Sequence, residues 1–212
     1  MRLLLIRHGQ TEANVNRQLD TAHPGLPLNE LGLSQAEALV AALEHEQIDA
    51  LYASTLTRAQ QTAAPLAAAR GLEAVVLEGI HEISAGVEEM NTDWRRYLEV
   101  LTSWAPDNLD VGLEGGETAR EFLTRFNAAV AKVEEGGHDN VALVSHGAAL
   151  RVWAITQDPS VGMENAQPLE NTQWIVLNGS TAEGWKAERW GTFVVPVDGE
   201  PIAVEHRATD PA

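Results

Sequence analysis

Two short apolar runs of the sequence each end in a histidine that is followed by a glycine. Residues 3–6 lead into Arg7 and His8, and residues 141–144 lead, through one serine, into His146. A neutral imidazole can attack phosphorus to form a covalent phosphohistidine, and an arginine can grip phosphate oxygens with two donors at once. Glycine after each histidine lets the backbone turn sharply and approach a ligand. These residue types therefore indicate phosphoryl chemistry.

A second arginine, Arg58, follows the apolar run at residues 50–53. Because ligands of parallel α/β sheets bind beyond the carboxyl ends of the strands, we expect Arg7, His8, Arg58 and His146 to open onto one crevice. Taken singly, each would more often be a capping residue or the partner of a carboxylate. Together they would repel one another in an empty pocket, and a phosphate dianion relieves that repulsion. The surrounding positive charge also lowers the histidine pKa, which favours the unprotonated nucleophile.

The elements that position these residues alternate between strand and helix patterns. Short bounded apolar runs are typical of buried parallel strands, and they occur at residues 3–6, 50–53, 74–77 and 141–144. Strands alternating with helices predict an α/β fold, a three-layer sandwich with a mostly parallel central sheet and helices on both faces. From Thr172 onward, alternating segments around glycine-containing turns predict C-terminal β-hairpins.

Helix boundaries are predicted from capping patterns. A capping box at Ser34 with Glu37 predicts a helix that begins there, and a second capping box predicts a helix that begins after Thr118. Gly71 is expected to close the helix that contains Arg58, and Pro65 is expected to kink that helix or delay its start. One further amphipathic segment presents on a single face Trp94, Tyr97, Leu98 and Leu101.

Composition narrows the classes of partner. The 212 residues carry 14 Lys and Arg against 31 Asp and Glu, a net charge of −17, which argues against nucleic acid or an anionic membrane surface as a partner. A small anionic ligand is still accommodated by a local cluster of arginines. There is no cysteine, which excludes disulfides and thiolate chemistry. The first apolar run is too short for a signal peptide and no run is long enough to span a membrane, so a cytoplasmic protein is expected.

We expect residues 1–195 to form a single catalytic domain and residues 196–212 to form a C-terminal hairpin or partly disordered tail. The turn of this last hairpin is predicted at Asp198 and Gly199, and Pro196 and Pro201 place it at the edge of the sheet or outside it. Two roles are open for the hairpin: pairing across a homodimer or covering the domain.

Four motifs in order along the chain resemble the histidine phosphatase superfamily, in its phosphoglycerate-mutase-like branch. The segments are RHGQTEAN at residues 7–14, LNELGLSQA at 28–36, ASTLTRAQQTA at 53–63 and LVSHGAALR at 143–151. An R-H-G motif alone would be weak evidence, whereas four matches in register are specific. The resemblance covers the predicted catalytic domain and implies its fold and its phosphoryl chemistry.

The resemblance also implies roles for individual residues. His8 matches the nucleophile, Arg7 and Arg58 match the phosphate clamps, and His146 matches a second imidazole on the transferring phosphoryl group. Asn14 matches a side chain that hydrogen-bonds within the same pocket.

The resemblance assigns the proton donor of the reaction to Glu82. The segment HEISAGVEEM aligns Glu82 with the acid, Gly86 with a family glycine and Glu89 with a second glutamate. Glu78, Glu88 and Glu89 compete for the same role, and a solvated loop carboxylate is the alternative for each. Glu82 is preferred.

Residues around the rim of the expected pocket are less specific. Gly147 matches a residue that offers a backbone amide near the phosphate, with a simple turn glycine as the alternative. Thr21 and His23 lie in a loop that borders the pocket in the family and are expected either to touch substrate or to be surface residues. His81 and Met90 depart from the family pattern, which affects the substrate-facing segment and not the phosphoryl chemistry.

These observations predict a phosphatase that hydrolyses small phosphate monoesters through a phosphohistidine on His8, with Glu82 as general acid and base. No cofactor and no metal are expected, because two arginines and two histidines supply the positive charge that a metal would provide. The alternatives are a cofactor-dependent phosphoglycerate mutase, a phospho-ligand binding module without turnover, and a metal site. The last would use His8, His23, His81 and His146, and the adjacent arginines disfavour it.

Overall fold

The fold is organised around one mixed β-sheet. A computed structural model describes residues 1–162, 165–194 and 202–203. The strands are β1 (Arg2–Arg7), β2 (Ala50–Ser54), β3 (Ala74–Leu77), β4 (Asn140–Ser145), β5 (Trp174–Ser180), β6 (Gly184–Trp190), β7 (Phe193–Val194) and β8 (Ile202–Ala203). The helices are α1 (Glu12–Val15), α2 (Glu30–Ala42), α3 (Thr57–Arg70), α4 (Arg95–Ser103), α5 (Ala119–Glu134) and α6 (Gly147–Gln157).

The strand order is β3-β2-β4-β1-β5-β6-β7-β8. The four strands that begin as bounded apolar runs, β1 to β4, pair in parallel, whereas β5 to β8 pair antiparallel. β1 lies between β4 and β5, so it has neighbours on both sides. The predicted α/β fold is confirmed, and the C-terminal hairpins form the antiparallel part of the same sheet.

The alternation of side chains along β1 divides the core into two layers. Leu3 and Leu5 pack in a cluster with residues of α5 and α6, whereas Leu4 and Ile6 pack on the opposite face with residues of α2 and α3. All four side chains are fully buried. Because both faces are covered by helices, the strand is apolar throughout instead of alternating. This arrangement is the predicted three-layer sandwich.

One predicted helix start is wrong. The helix α2 begins at Glu30, and the Asn29 side chain caps it by accepting a hydrogen bond from the amide of Gly32 at 2.9 Å. Ser34 lies inside the helix and is exposed. The Ser34–Glu37 spacing fits a capping box, but Asn29 supplies a cap one turn earlier and the helix extends to it.

Other helix boundaries agree with the sequence in part. The Thr118 capping box begins α5, and Gly71 ends α3 in the left-handed conformation at φ 64°. The helix α3 runs continuously through Pro65, so the expected late start does not occur. The short helix α1 was not predicted, and its capping box between Thr11 and Asn14 is visible in the sequence only as a T-x-x-N variant.

The two predicted hairpins are present as strand pairs. β5 pairs with β6, and β7 pairs with β8, which is the last strand at the edge of the sheet. The turn predicted at Asp198 and Gly199, with Pro196 and Pro201, lies outside the described residues. The division of the chain at residue 195 stays a prediction. Within the described residues, no helix is long and apolar enough to cross a membrane.

The position of the α2 cap gives a test of the fold. Replacing Asn29 with alanine is expected to lower the free energy of unfolding by about 1–2 kcal/mol, because the Gly32 amide loses its acceptor. Asn29→Asp keeps the acceptor and should retain most of the stability. Ser34→Ala should cost nothing measurable, since Ser34 is an exposed interior helix position. Urea unfolding of the three variants measures this, and a larger loss for Ser34→Ala than for Asn29→Ala would contradict the assignment.

Candidate active site

The two histidines meet where β1 and β4 end side by side. Arg7, the last residue of β1, pairs in register with Ser145, the last residue of β4, and the amide of His8 donates to the Ser145 carbonyl at 3.0 Å. The next residue after each strand is a histidine, so the rings of His8 and His146 lie with their centroids 5.2 Å apart. Both side chains are buried. The parallel register thus brings together residues that are far apart in the sequence.

The hydrogen bonds of His8 distinguish its two ring nitrogens. Nδ1 lies 2.7 Å from the carbonyl oxygen of Gly9, and Nε2 lies 3.0 Å from Nε of Arg58. A carbonyl oxygen can only accept a hydrogen bond, so Nδ1 carries the proton. The lone pair of Nε2 therefore accepts the hydrogen bond from Arg58. Burial, followed by the charges of Arg58 and Arg7, holds the pKa of His8 well below its usual value. His8 is therefore neutral near pH 7, with its nucleophilic nitrogen facing a guanidinium.

Arg58 lies in the first turn of α3 and is held by a residue that the sequence reasoning missed. Its Nη2 donates to the Asp20 carbonyl at 2.8 Å, and Nη1 contacts the Asp20 carboxylate at 3.2 Å. Both side chains are almost fully buried, at 3% and 8% exposure. Asp20 directly precedes Thr21 in the loop that was expected to border the pocket, but nothing in the local sequence marked the carboxylate as the partner of Arg58.

Arg7 reaches the same pocket from the end of β1. Its Nη1 donates to the carbonyl of Leu169, whereas its buried Nε has no hydrogen-bond partner among the described residues. A Cβ on Gly147 would lie 3.3 Å from this Nε, so glycine leaves room for the guanidinium. Burial lowers the pKa of Arg7 although Glu82 and Glu170 oppose the shift. The unpartnered Nε is a donor available to an anion.

His146 is held in place by Ser54, the last residue of β2. Its Nε2 lies 2.8 Å from the hydroxyl oxygen of Ser54, and its buried Nδ1 has no partner among the described residues. The Ser54 oxygen also accepts from the Leu56 amide at 3.3 Å. Burial and the charge of Arg58 hold the pKa of His146 well below its usual value. A neutral imidazole with one unpaired nitrogen beside His8 can hydrogen-bond a phosphoryl oxygen.

Glu82 lies at the amino terminus of α6. Its two carboxylate oxygens accept from the amides of Ala149 at 2.8 Å and Ala148 at 3.1 Å. The first amides of a helix have no partner within the helix, so a carboxylate placed there satisfies them. Glu82 and His8 line the same cavity. The residue predicted as the acid and the residue predicted as the nucleophile therefore face one cavity.

The backbone around Glu82 is held by an ion pair that sequence reasoning also missed. Arg125 donates to the carbonyls of Gly79 at 2.6 Å, His81 at 2.9 Å and Glu82 at 3.0 Å. The same guanidinium pairs with Glu117 at 2.5 Å, and Glu117 accepts from the Ser84 amide at 2.9 Å. The segment from residue 79 to 84 is therefore anchored to α5, which fixes the position of Glu82.

The competing glutamates have other partners. Glu89 accepts from the amides of Thr21 at 2.9 Å and Ala22 at 3.0 Å, and Glu88 accepts from Asn91 at 2.7 Å. Glu78 lines a second, smaller cavity. Of the four glutamates considered in the sequence, Glu82 alone lines the cavity that contains His8.

Asn14 and Thr21, at the rim of the pocket, form hydrogen bonds with other residues of the protein. Asn14 lines the cavity, but its side-chain oxygen accepts from the Thr11 amide at 3.1 Å and from Asn171 at 3.2 Å. Asn171, which was not assigned to the pocket, also donates to the His8 carbonyl at 3.0 Å. Thr21 lines the cavity and donates its hydroxyl to Glu89. Contacts of Asn14 and Thr21 with substrate stay predictions.

His23 and His81 do not join the other two histidines. They line the smaller cavity, together with Glu78 and Thr21, whereas His8 lies in the main cavity. A four-histidine metal site is therefore not assembled by these residues.

The main cavity has a volume of about 780 Å³. At one end it is lined by Arg7, His8, Arg58 and Glu82. Its remaining walls come largely from apolar residues of α4, the loop that follows α4, and α6. The site therefore combines a cationic pocket with an extended apolar chamber.

Two histidines and two arginines thus meet where the parallel strands end, and Glu82 lines the same cavity as His8. The chain belongs to the histidine phosphatase superfamily, branch 1, whose family model matches residues 3–192. The family match and the similar phosphatases support a phosphatase or phosphoglycerate-mutase-like enzyme.

Several known proteins are similar to this chain. An adenosylcobalamin/alpha-ribazole phosphatase of Escherichia coli is 32% identical over 150 residues, covering 69% of this chain and 73% of that protein. A PE-PGRS family protein of Mycobacterium tuberculosis is 30% identical over 94% of this chain, which spans only 38% of that protein's length. The structure of mycobacterial glucosyl-3-phosphoglycerate phosphatase with VO3 superposes with a TM-score of 0.74 at 25% identity, covering 90% of this chain and 98% of that one.

The low histidine pKa values predict how stability depends on pH. Since burial lowers the pKa of His8 and His146 in the folded state, the unfolded chain binds protons first as pH falls. Their contribution is present above about pH 6.5 and is lost below it, with a slope that approaches about 1.4 kcal/mol per pH unit for each histidine. Urea unfolding between pH 7 and pH 5 measures this slope.

The matched variants are His8→Gln and His45→Gln. His8→Gln should remove about half of the histidine-dependent slope, and His45→Gln is the control for replacing a histidine whose side chain is 93% exposed. The same pH dependence in all three proteins would refute the proposal that His8 is buried in the neutral form.

Proposed function

We propose that this protein is a phosphatase that hydrolyses phosphate monoesters through a phosphohistidine on His8, with Glu82 as general acid and then general base. The observation that carries the proposal is the pairing of Nε2 of His8 with a guanidinium, in one cavity with Glu82. A lone pair directed at a cation marks the position that a phosphoryl group would take.

In the first step, Nε2 of His8 attacks phosphorus. A P–N bond forms and the ester P–O bond breaks, while a proton passes from the Glu82 carboxyl to the leaving oxygen, so that the product is a neutral alcohol. Arg58 exchanges its hydrogen bond with Nε2 for one with a phosphoryl oxygen. Nε of Arg7 and Nδ1 of His146, which have no hydrogen-bond partner among the described residues, supply two further donors to the phosphoryl oxygens.

In the second step, water attacks phosphorus from the side that the alcohol has left. The Glu82 carboxylate accepts a proton from that water, the P–N bond breaks, and inorganic phosphate and the original His8 are released. In this proposal, Arg7 and Arg58 stabilise the negative charge of the phosphoryl group in the transition state, and the reaction needs no metal.

Proteins similar to this chain include a probable phosphoglycerate mutase of Yersinia pestis, which is 32% identical over 160 residues. Hydrolysis is preferred because the two similar proteins described above whose names state an activity are both phosphatases. The two activities use the same first step and differ in whether water or a second alcohol receives the phosphoryl group. Phosphate release should therefore be compared with isomerisation of 3-phosphoglycerate, with and without a bisphosphate primer. Primer-dependent isomerisation with little phosphate release would assign the chain to the mutases.

The covalent intermediate can be trapped. Rapid denaturation during turnover of an aryl phosphate should yield an acid-labile, base-stable phosphoenzyme, and His8→Ala should abolish it and slow hydrolysis by about a thousandfold or more. His45→Ala is the matched control and should label as the wild type does, because His45 is exposed. Absence of both labelling and hydrolysis in the wild type would instead favour a phospho-ligand binding module.

The role of Glu82 predicts a dependence on the leaving group. Glu82→Gln should slow hydrolysis of an alkyl phosphate by about 10²–10⁴-fold, because a poor leaving group needs a proton. The same variant should slow p-nitrophenyl phosphate far less, since p-nitrophenolate leaves without one. Glu37→Gln on the exposed face of α2 is the control and should change neither rate. The comparison uses kcat/KM, which reports the phosphorylation of His8 and not the later hydrolysis in which Glu82 is the proposed base. Equal losses of kcat/KM on both substrates would show that Glu82 is not the proton donor.

A further inference from the structure

We propose that the substrate is the phosphate monoester of a large, mainly apolar alcohol, which occupies the chamber next to the catalytic pocket. This inference rests on the proposed function, because it assigns the leaving group of that reaction. The volume of about 780 Å³ lies within the range of about 300–1,000 Å³ that is typical of cavities that enclose whole ligands.

The wall of the chamber is built from large apolar side chains of separate elements. α4 contributes Leu98 and Leu101, the following loop contributes Trp104, and α6 contributes Val152 and Ile155. Leu98 is 45% exposed, and the other four are only partly buried. When an apolar ligand covers exposed apolar surface inside a concave site, the burial of that surface makes binding more favourable.

The polar atoms of the aromatic residues in this wall are already satisfied. The indole nitrogen of Trp94 donates to the Arg17 carbonyl at 2.7 Å, and that of Trp104 donates to the Val111 carbonyl at 2.9 Å. Their donors are therefore not available to a ligand. The indole rings can offer only apolar contact to a ligand.

Charge is distributed unequally between the two ends of the cavity. The charged residues Arg7, His8, Arg58, Glu82 and Asp20 lie around the catalytic pocket, whereas the α4 and α6 walls carry one charged residue among the lining residues, Arg151, whose Nε donates to the Ala166 carbonyl at 2.6 Å. The neutral polar side chains of the α4 and α6 walls are Thr102 and Thr156, so a sugar buried between these helices would leave hydroxyls unpaired, and each unpaired hydroxyl is costly. An alkyl or aryl group has no such cost.

α4 lines the chamber and also contacts the segment that carries Glu82. The hydroxyl of Tyr97 donates to the carbonyl of Ile83, next to Glu82, at 3.1 Å. Tyr97 is buried and also lines the cavity. An alcohol that packs against α4 therefore lies beside the residue that is proposed to protonate its oxygen.

A homologous series of substrates tests this inference. Butyl, hexyl, octyl and decyl phosphate, each below its micelle concentration, should show kcat/KM rising roughly two- to fourfold per methylene until the chamber is filled. Glucose 6-phosphate and 3-phosphoglycerate should be poorer than octyl phosphate. A flat series, or a preference for the sugar or glycerate ester, would overturn the inference while leaving hydrolysis of p-nitrophenyl phosphate, and with it the proposed function, intact.

A matched pair of variants locates the effect. Leu98→Asp should lower kcat/KM for octyl phosphate by about tenfold or more, because the carboxylate is placed against the apolar chain. It should leave inhibition by inorganic phosphate unchanged. Leu33→Asp is the control, since Leu33 lies on α2, is 49% exposed and does not line the cavity. Equal losses in both variants would overturn the assignment of the chamber.

Binding measurements separate the two proposals if no hydrolysis is found. Calorimetry with non-hydrolysable alkyl phosphonates reports on the chamber without requiring chemistry. Affinity that rises with chain length and falls in Leu98→Asp supports the apolar chamber even in the absence of a phosphoenzyme. Affinity that is independent of chain length overturns it.

Discussion

The structure depends on the burial of two arginines beside two histidines at the ends of β1 and β4. Arg58 and His8 are in direct hydrogen-bonding contact, and Asp20 supplies the carboxylate that touches this cluster. Desolvation lowers the pKa of both imidazoles, so the histidines stay neutral while the guanidiniums retain their charge. This excess positive charge is the basis for proposing that the pocket binds a phosphoryl group and that His8 is the nucleophile.

The rest of the fold keeps this cluster in place. The sheet fixes His8 and His146 through the in-register pairing of β1 with β4, and α3 brings Arg58 to them. Close packing requires glycine where the loop after β1 meets α2, because a Cβ on Gly32 would lie 2.0 Å from the Gln10 carbonyl oxygen. Rigid supports of this kind hold reacting groups within the small tolerances that phosphoryl transfer requires.

The second half of the site is built by different means. Glu82 lies in a segment without regular secondary structure. The ion pair of Arg125 and Glu117 anchors the backbone of this segment, and the first amides of α6 donate to the Glu82 carboxylate. The same elements, together with α4, enclose the apolar chamber. The two proposals therefore assign chemistry and leaving-group selection to separate parts of one cavity.

By itself, the sequence determined the parallel core strands, the family and the side chains that meet at the strand ends, because those features are local: apolar runs, and residues within short motifs. It misplaced the start of α2, since two capping patterns lie within five residues and only packing chooses between Asn29 and Ser34. Only the tertiary structure decided which carboxylates hold Arg58 and Arg125, because these partners lie 38 and 8 residues away. The chamber was equally hidden, since its walls meet only after α4 and α6 have packed beside the sheet.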